Sequence, residues 1–178
     1  MDPDPEPLFI LFTSFNILIV INAIVLIFLL IASALISGTE VAFFSLSQTD
    51  LNILSNQAKG ENTVVKLLER PRKLLATVLI ANNFINILIV LLFATLAENL
   101  FGDFDYLLNL YFFQIPIRFL IEVILVTFLI LLFGEVLPKI YASRNALNFS
   151  RKMSKFINFI NTILTPFSMP LIWLTKFI

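Results

Sequence analysis

Neither cysteine nor histidine occurs anywhere in the chain, and the two absences remove a large part of protein chemistry. Disulfides, thiolate nucleophiles, Cys/His zinc sites and imidazole acid–base catalysis are all excluded. Charge is scarce as well. Only 13% of the 178 residues are Asp, Glu, Lys or Arg, against about a quarter in a soluble globular domain. Twelve basic and twelve acidic residues balance to zero formal net charge, so no global positive field draws in nucleic acid, and no DNA- or RNA-reading motif is present. Any metal handled here must be bound by oxygen. Oxygen-only ligation favours hard cations: magnesium, calcium, sodium or manganese.

What the chain has instead is apolar surface. It is 59% hydrophobic with twenty Phe, and its mean hydropathy is +0.96. So few charges could not clothe such a core, and the apolar residues fall in long blocks, so lipid is the expected solvent.

Residues 1–7 (MDPDPEP) are acidic and proline-rich without Lys or Arg. A secretory signal starts with a basic segment, so these residues read as a short external tail. Leu8 to Ile36 is apolar except for Thr13, Ser14, Asn16, Asn22 and Ser33, and Val41 to Leu46 is apolar again after Ser37-Gly38-Thr39-Glu40. A helix rises about 1.5 Å per residue and a bilayer core is about 30 Å thick, so a first span is expected over about 8–46. Residues 47–73 place Leu51, Ile53, Leu54, Val64, Val65, Leu67 and Leu68 among polar residues, with Gly60 between the groups. This pattern predicts two short amphipathic helices joined by a turn. A second span follows Pro71, over about 74–98.

An acidic connection with Gly102, Asp103, Asp105 and Pro116 leads to a third span over about 117–137, which meets Gly134-Glu135 and Pro138-Lys139. Beyond it, Phe156, Ile157, Phe159, Ile160, Ile163, Leu164 and Phe167 recur at helical spacing among Lys and Asn, with Pro166 and Pro170 beyond or within the run. Residues 150–178 therefore read as a juxtamembrane amphipathic helix lying along the interface. A fourth crossing by 156–178 is the rival reading. The expected class is all-α and integral to the membrane.

Lys and Arg set the orientation. The tail has none and the 97–118 connection only Arg118, while 47–73 carries Lys59, Lys66, Arg70, Arg72 and Lys73. The segment after the third span carries Lys139, Arg144, Arg151, Lys152, Lys155 and Lys176. The positive-inside rule places the N-terminus outside and the C-terminus in the cytoplasm of a multi-pass plasma (inner) membrane protein.

Polar side chains inside a span are expensive and normally face protein or a wet cavity. Ser33 and Ser37 are four apart, on one face of the first span. They either bond back to their own helix or, with Gly38 opening the helix and freeing carbonyls, bind something. Asn82 and Asn86 are also four apart, with Asn83 beside them, and either join helices or act as ligands. Glu135 follows Gly134, whose carbonyl loses its helical partner because Pro138 has no N–H. The plain alternative for Glu135 is an i,i+4 pair with Lys139. Glu40 shares that ambiguity, and Glu122, at the start of the third span, reads as reaching the headgroups. Together these groups form an all-oxygen set suited to a hard cation, of the kind broken transporter helices present near the midplane.

Ser33-Ala-Leu-Ile-Ser37-Gly38-Thr39-Glu40, Leu79-Ile80-Ala81-Asn82-Asn83-Phe84-Ile85-Asn86 and Phe133-Gly134-Glu135-Val136-Leu137-Pro138-Lys139 resemble the membrane domain of the CorC/cyclin M (CNNM) family of magnesium transporters. Leu68-Glu69-Arg70-Pro71 also fits, and Ala81 stands where the family often has Gly. The resemblance covers nearly the whole chain. It implies a homodimer of three-span subunits exporting magnesium against sodium influx, with magnesium as the transported ion and sodium as its counter-ion. By motif position the ligands are Ser33, Ser37, Asn82, Asn86 and the Gly134 carbonyl, with Glu135 as ligand or gate. Family members usually continue into a pair of CBS domains that bind nucleotide such as ATP and a small C-terminal domain, so a chain ending at Ile178 is expected to be the membrane part of a longer protein.

Two other functions compete with secondary transport. One is a non-transporting scaffold or sensor with a structural cation site, for example a gliding-motility accessory protein. The other is a passive cation channel. An enzyme is not expected, since nothing pairs a nucleophile with a base.

Overall fold

The structure, a computed structural model, describes residues 6–57, 63–101, 107–110 and 113–165. The extreme tail, the Gly60 turn, the acids at 103 and 105, and the Pro166 and Pro170 region lie outside the described residues.

The long apolar blocks form long helices, because lipid leaves the backbone no partner except its own. Helix α1 runs from Glu6 to Phe44, α4 from Pro71 to Phe101, and α5 from Ile117 to Leu129. A π-helical stretch, Ile130–Val136, then carries the third span without a break into α6, Leu137–Arg144. Among the described residues three segments are long and apolar enough to cross a membrane: Ile17–Phe44, Pro71–Leu100 and Ile117–Arg144. The chain is thus an all-α membrane protein by class: the second helix runs three residues past the expected 74–98 at each end, the first stops two short of 46, and the third starts at the expected 117 and continues seven past 137.

Two short helices, α2 (Gln48–Gln57) and α3 (Thr63–Leu68), join the first two spans, as the pattern of 47–73 predicts. Ser47 opens α2 with a capping box. Its hydroxyl accepts the Asp50 N–H at 3.2 Å, and its own N–H donates to Asp50 Oδ2 at 3.0 Å. Pro71 starts α4 at a position where a missing N–H does no harm.

One expectation is corrected. Gly38 does not break the first span: α1 continues through it to Phe44. A Cβ there would lie 2.8 Å from Phe149 Cζ, so the glycine makes room for the Phe149 ring, and helix continuity is retained because an opened backbone in lipid would lose hydrogen bonds. Leu107–Leu110 and Phe113–Pro116 pair as an antiparallel hairpin (β1, β2), with Asn109 opposite Gln114. Strands of four residues are too short for alternation to announce them.

Helix α7, Ala146–Ile163, is strongly amphipathic and is not one of the three candidate spans. Its buried face, Ser150, Met153, Ser154 and Ile157, packs on α1, α3 and α4. It starts four residues before the expected 150, and 166–178 lie outside the described residues.

Two apolar packs hold the bundle. One joins Ile36 and Phe43 of α1 to Leu54, Val64, Leu67, Leu74, Val78, Met153 and Ile157. The other joins Leu26 to Ile89, Phe93, Ala97, Val126 and Ile130. Between them along the first two spans lie Ser33, Asn82 and Asn86, and on the third span Gly134 follows one turn after Ile130 of the second pack.

Candidate functional site

Ser33 is fully buried on the face of α1 turned toward α4. Its Oγ lies 2.7 Å from Asn86 Oδ1 and 3.3 Å from Asn82 Oδ1. Asn86 in turn donates from Nδ2 to Glu135 Oε1 at 3.2 Å. Side chains from all three spans therefore meet, although the residues are about fifty apart in sequence.

The donor count is uneven. One hydroxyl carries one hydrogen, so Ser33 can satisfy only one of the two amide oxygens at a time. One turn along the same face, Ser37 is 1% exposed and its Oγ has no hydrogen-bond partner. A buried hydroxyl left unmatched costs about 1–3 kcal/mol. Packing alone does not retain that penalty, since alanine would fit. Thr39 shows the ordinary arrangement, with its buried hydroxyl donating to its own helix at Leu35 O, 2.7 Å away. The cluster thus gathers several side-chain oxygens, one of them a buried hydroxyl without a partner.

Glu135 reaches this cluster because of the π-helix. Pro138 offers no N–H to the Gly134 carbonyl, so the helix cannot stay α there. The Leu137 N–H bonds instead to Leu132 O, five residues back. Such single-turn widenings are frequent at functional sites. Gly134 is buried, and a Cβ on it would sit 3.0 Å from Ser33 Oγ. The absence of a side chain lets the third span approach Ser33.

Other polar residues fall elsewhere. Asn83 is exposed and bonds its own helix through Leu79 O at 3.0 Å. Lys139 Nζ lies 3.3 Å from Glu40 Oε2, so the i,i+4 pairing of Lys139 with Glu135 is replaced by a link between α6 and α1. Glu122 accepts from Arg118 Nε at 2.6 Å. Sequence reasoning also passed over Thr77, fully buried, whose hydroxyl donates to Asn161 Oδ1 at 2.9 Å and ties α4 to α7. Only the lone buried hydroxyl in an apolar run could have signalled it. Among the described residues no three carboxylates converge, so the cluster has one carboxylate among neutral oxygens.

Three apolar helices around a buried, oxygen-rich cluster define a polytopic α-helical membrane protein with a polar centre between its spans. Residues 24–178 match the cyclin M transmembrane N-terminal domain, and the chain belongs to that family. It is 36% identical over 152 residues to a UPF0053 protein of Haemophilus influenzae, covering 85% of this chain and 32% of the relative. It is 32% identical over 143 residues to the UPF0053 inner membrane protein YfjD of Escherichia coli, covering 80% and 29%. With the metal transporter cnnm-4 of Caenorhabditis elegans it shares 30% identity over 153 residues, covering 82% and 30%. The chain spans about a third of the length of these relatives.

Proposed function

We propose that the chain exports magnesium across the inner membrane in exchange for sodium influx, by alternating access to the cluster between its spans, and that it does no enzymatic chemistry. The observation that carries this reading is the meeting of Ser33, Asn82, Asn86 and Glu135 from three spans around one buried point. Ser33 Oγ, Ser37 Oγ, the two Asn oxygens, the Gly134 carbonyl and Glu135 are the proposed ligands.

Geometry and charge both favour a small hard cation. Two oxygens at right angles about 2.1 Å from magnesium stand roughly 3 Å apart, and the separations at Ser33 are 2.7 and 3.3 Å. An ion can replace the shared hydrogen without moving the helices. One carboxylate leaves a bound divalent ion with excess positive charge, which keeps binding weak enough for release. A sodium ion at the same place would be neutralised, which gives competition between the two ions a physical basis.

The apolar packs on either side of the cluster support alternating access over an open channel: neither route is wet throughout, so each must open in turn. The Lys and Arg residues of 47–73 and of the segment after 137 support a cytoplasmic position for both, with the N-terminus outside. Exposed apolar faces on the spans, Phe28 and Leu91 among them, leave room for a second copy as well as lipid, and we take the unit to be a homodimer. Domains beyond this segment, including nucleotide-binding ones, belong to the longer protein we infer.

Purified protein in magnesium-loaded liposomes tests the reading. A sodium gradient is expected to drive magnesium efflux, and Asn86→Ala to slow it roughly ten- to hundredfold with the helical circular dichroism unchanged. Efflux that ignores sodium contradicts coupling, and no efflux under any gradient favours the scaffold.

A further inference from the structure

A second polar recess lies away from the cation cluster, at the corner where α3 gives way to α4 and α7 crosses them. Its volume is about 180 Å³, the liquid volume of roughly six waters. Lys66, Arg70 and Lys73 line it with Asn158 and Asn161, and Glu69 is the only carboxylate in the lining. Three cations against one anion, converging from two elements, make it a place for negative charge.

The neighbouring groups narrow that charge to phosphate. Asn161 uses Oδ1 to accept the Thr77 hydroxyl, so Nδ2 is what it has left to offer as a donor. The recess also lies at the N-terminus of α4, a helix of 31 residues, where the macrodipole favours an anion. An arginine fork, two ammonium groups, an amide donor and a helix start match a tetrahedral oxyanion better than a planar carboxylate. Its level matters too. Leu74 begins the apolar run of the second span immediately after Lys73, so the recess sits where the hydrocarbon ends and headgroup phosphates begin. Basic pockets at that depth hold lipid headgroups.

We propose that the recess lined by Lys66, Arg70, Lys73, Asn158 and Asn161 binds a phosphate group, supplied by an anionic phospholipid headgroup or by free phosphate, and so fastens α7 to the corner of α3 and α4. The site is independent of the cation cluster.

Native mass spectrometry of the purified chain tests it, with phosphatidylglycerol, diacylglycerol lacking a phosphate, and inorganic phosphate as probes. Phosphatidylglycerol is expected to bind in preference to diacylglycerol. The double variant Arg70→Gln/Lys73→Gln is expected to weaken it roughly twenty-five-fold, at about fivefold per cation. Arg72→Gln removes one positive charge from an exposed position outside the recess and is expected to change affinity less than twofold, against about fivefold for Arg70→Gln alone. An unchanged melting temperature of the double variant confirms folding. Saturable binding of inorganic phosphate, lost in the double variant, would identify free phosphate as the source. Binding of phosphatidylglycerol alone would identify the lipid. The proposal is overturned if neither probe binds better than diacylglycerol, or if Arg72→Gln weakens binding as much as the double variant does.

Discussion

Ser37 states the central tension most simply. Its hydroxyl is buried without a partner, so Ser37→Ala is expected to leave the ion-free protein as stable as before or slightly more so, because apolar replacement of an unmatched polar group is near neutral. The same change is expected to lower magnesium affinity roughly tenfold, as isothermal titration would show. Parallel loss of stability and affinity would instead make the hydroxyl structural. Gly38→Ala should behave oppositely. Its Cβ would meet Phe149 Cζ at 2.8 Å, so overpacking is expected to destabilise the protein by about 1–3 kcal/mol, read as a lower melting temperature, with magnesium affinity per folded molecule unchanged. The serines and asparagines were legible in the sequence because lipid tolerates few such groups. Gly38 was misread there, since a glycine that admits a ring and one that opens a helix look alike until the ring's position is known.

The third span shows how far pattern carries at the next level up. Gly134-Glu135 and Pro138 announced a disturbed helix, and a disturbance is present, but as a π-helix instead of a break. A wider turn keeps most backbone groups paired in a solvent that offers no alternative. Successive residues of an α-helix are about 100° apart, so removing the widening would turn Glu135 away from Asn86. Pro138→Ala restores the N–H and is expected to slow magnesium flux roughly tenfold at unchanged helical content. Full activity in that variant would separate Glu135 placement from the proline. In the connecting helices, the Asp50 carboxyl is held below its ordinary value of 3.8, first by the Ser47 hydroxyl and then by the Ser47 N–H. A depressed folded value means the cap is complete above pH 3.8 and is lost as pH falls through the lowered value. Hydrogen exchange at the start of α2 should therefore distinguish Ser47→Ala from the parent chain near pH 6 and cease to do so in strong acid.

Across the molecule, span number and the two connecting helices followed from hydropathy and amphipathic spacing, and the family from three short motifs. The hairpin and the Glu40–Lys139 and Thr77–Asn161 links did not follow, because pairings between distant segments leave no periodic trace in one sequence. Residues about fifty apart were expected to converge only through the chemistry a desolvated cation would require, and their convergence is what the bundle displays. Manganese, which takes similar oxygen ligands, makes the most direct test, since its anomalous scattering locates it in a crystal. The account predicts one peak per protomer in contact with Ser33 Oγ and Asn86 Oδ1, absent from Asn86→Ala crystals. A bound ion found only elsewhere, or none between the three spans, would contradict it.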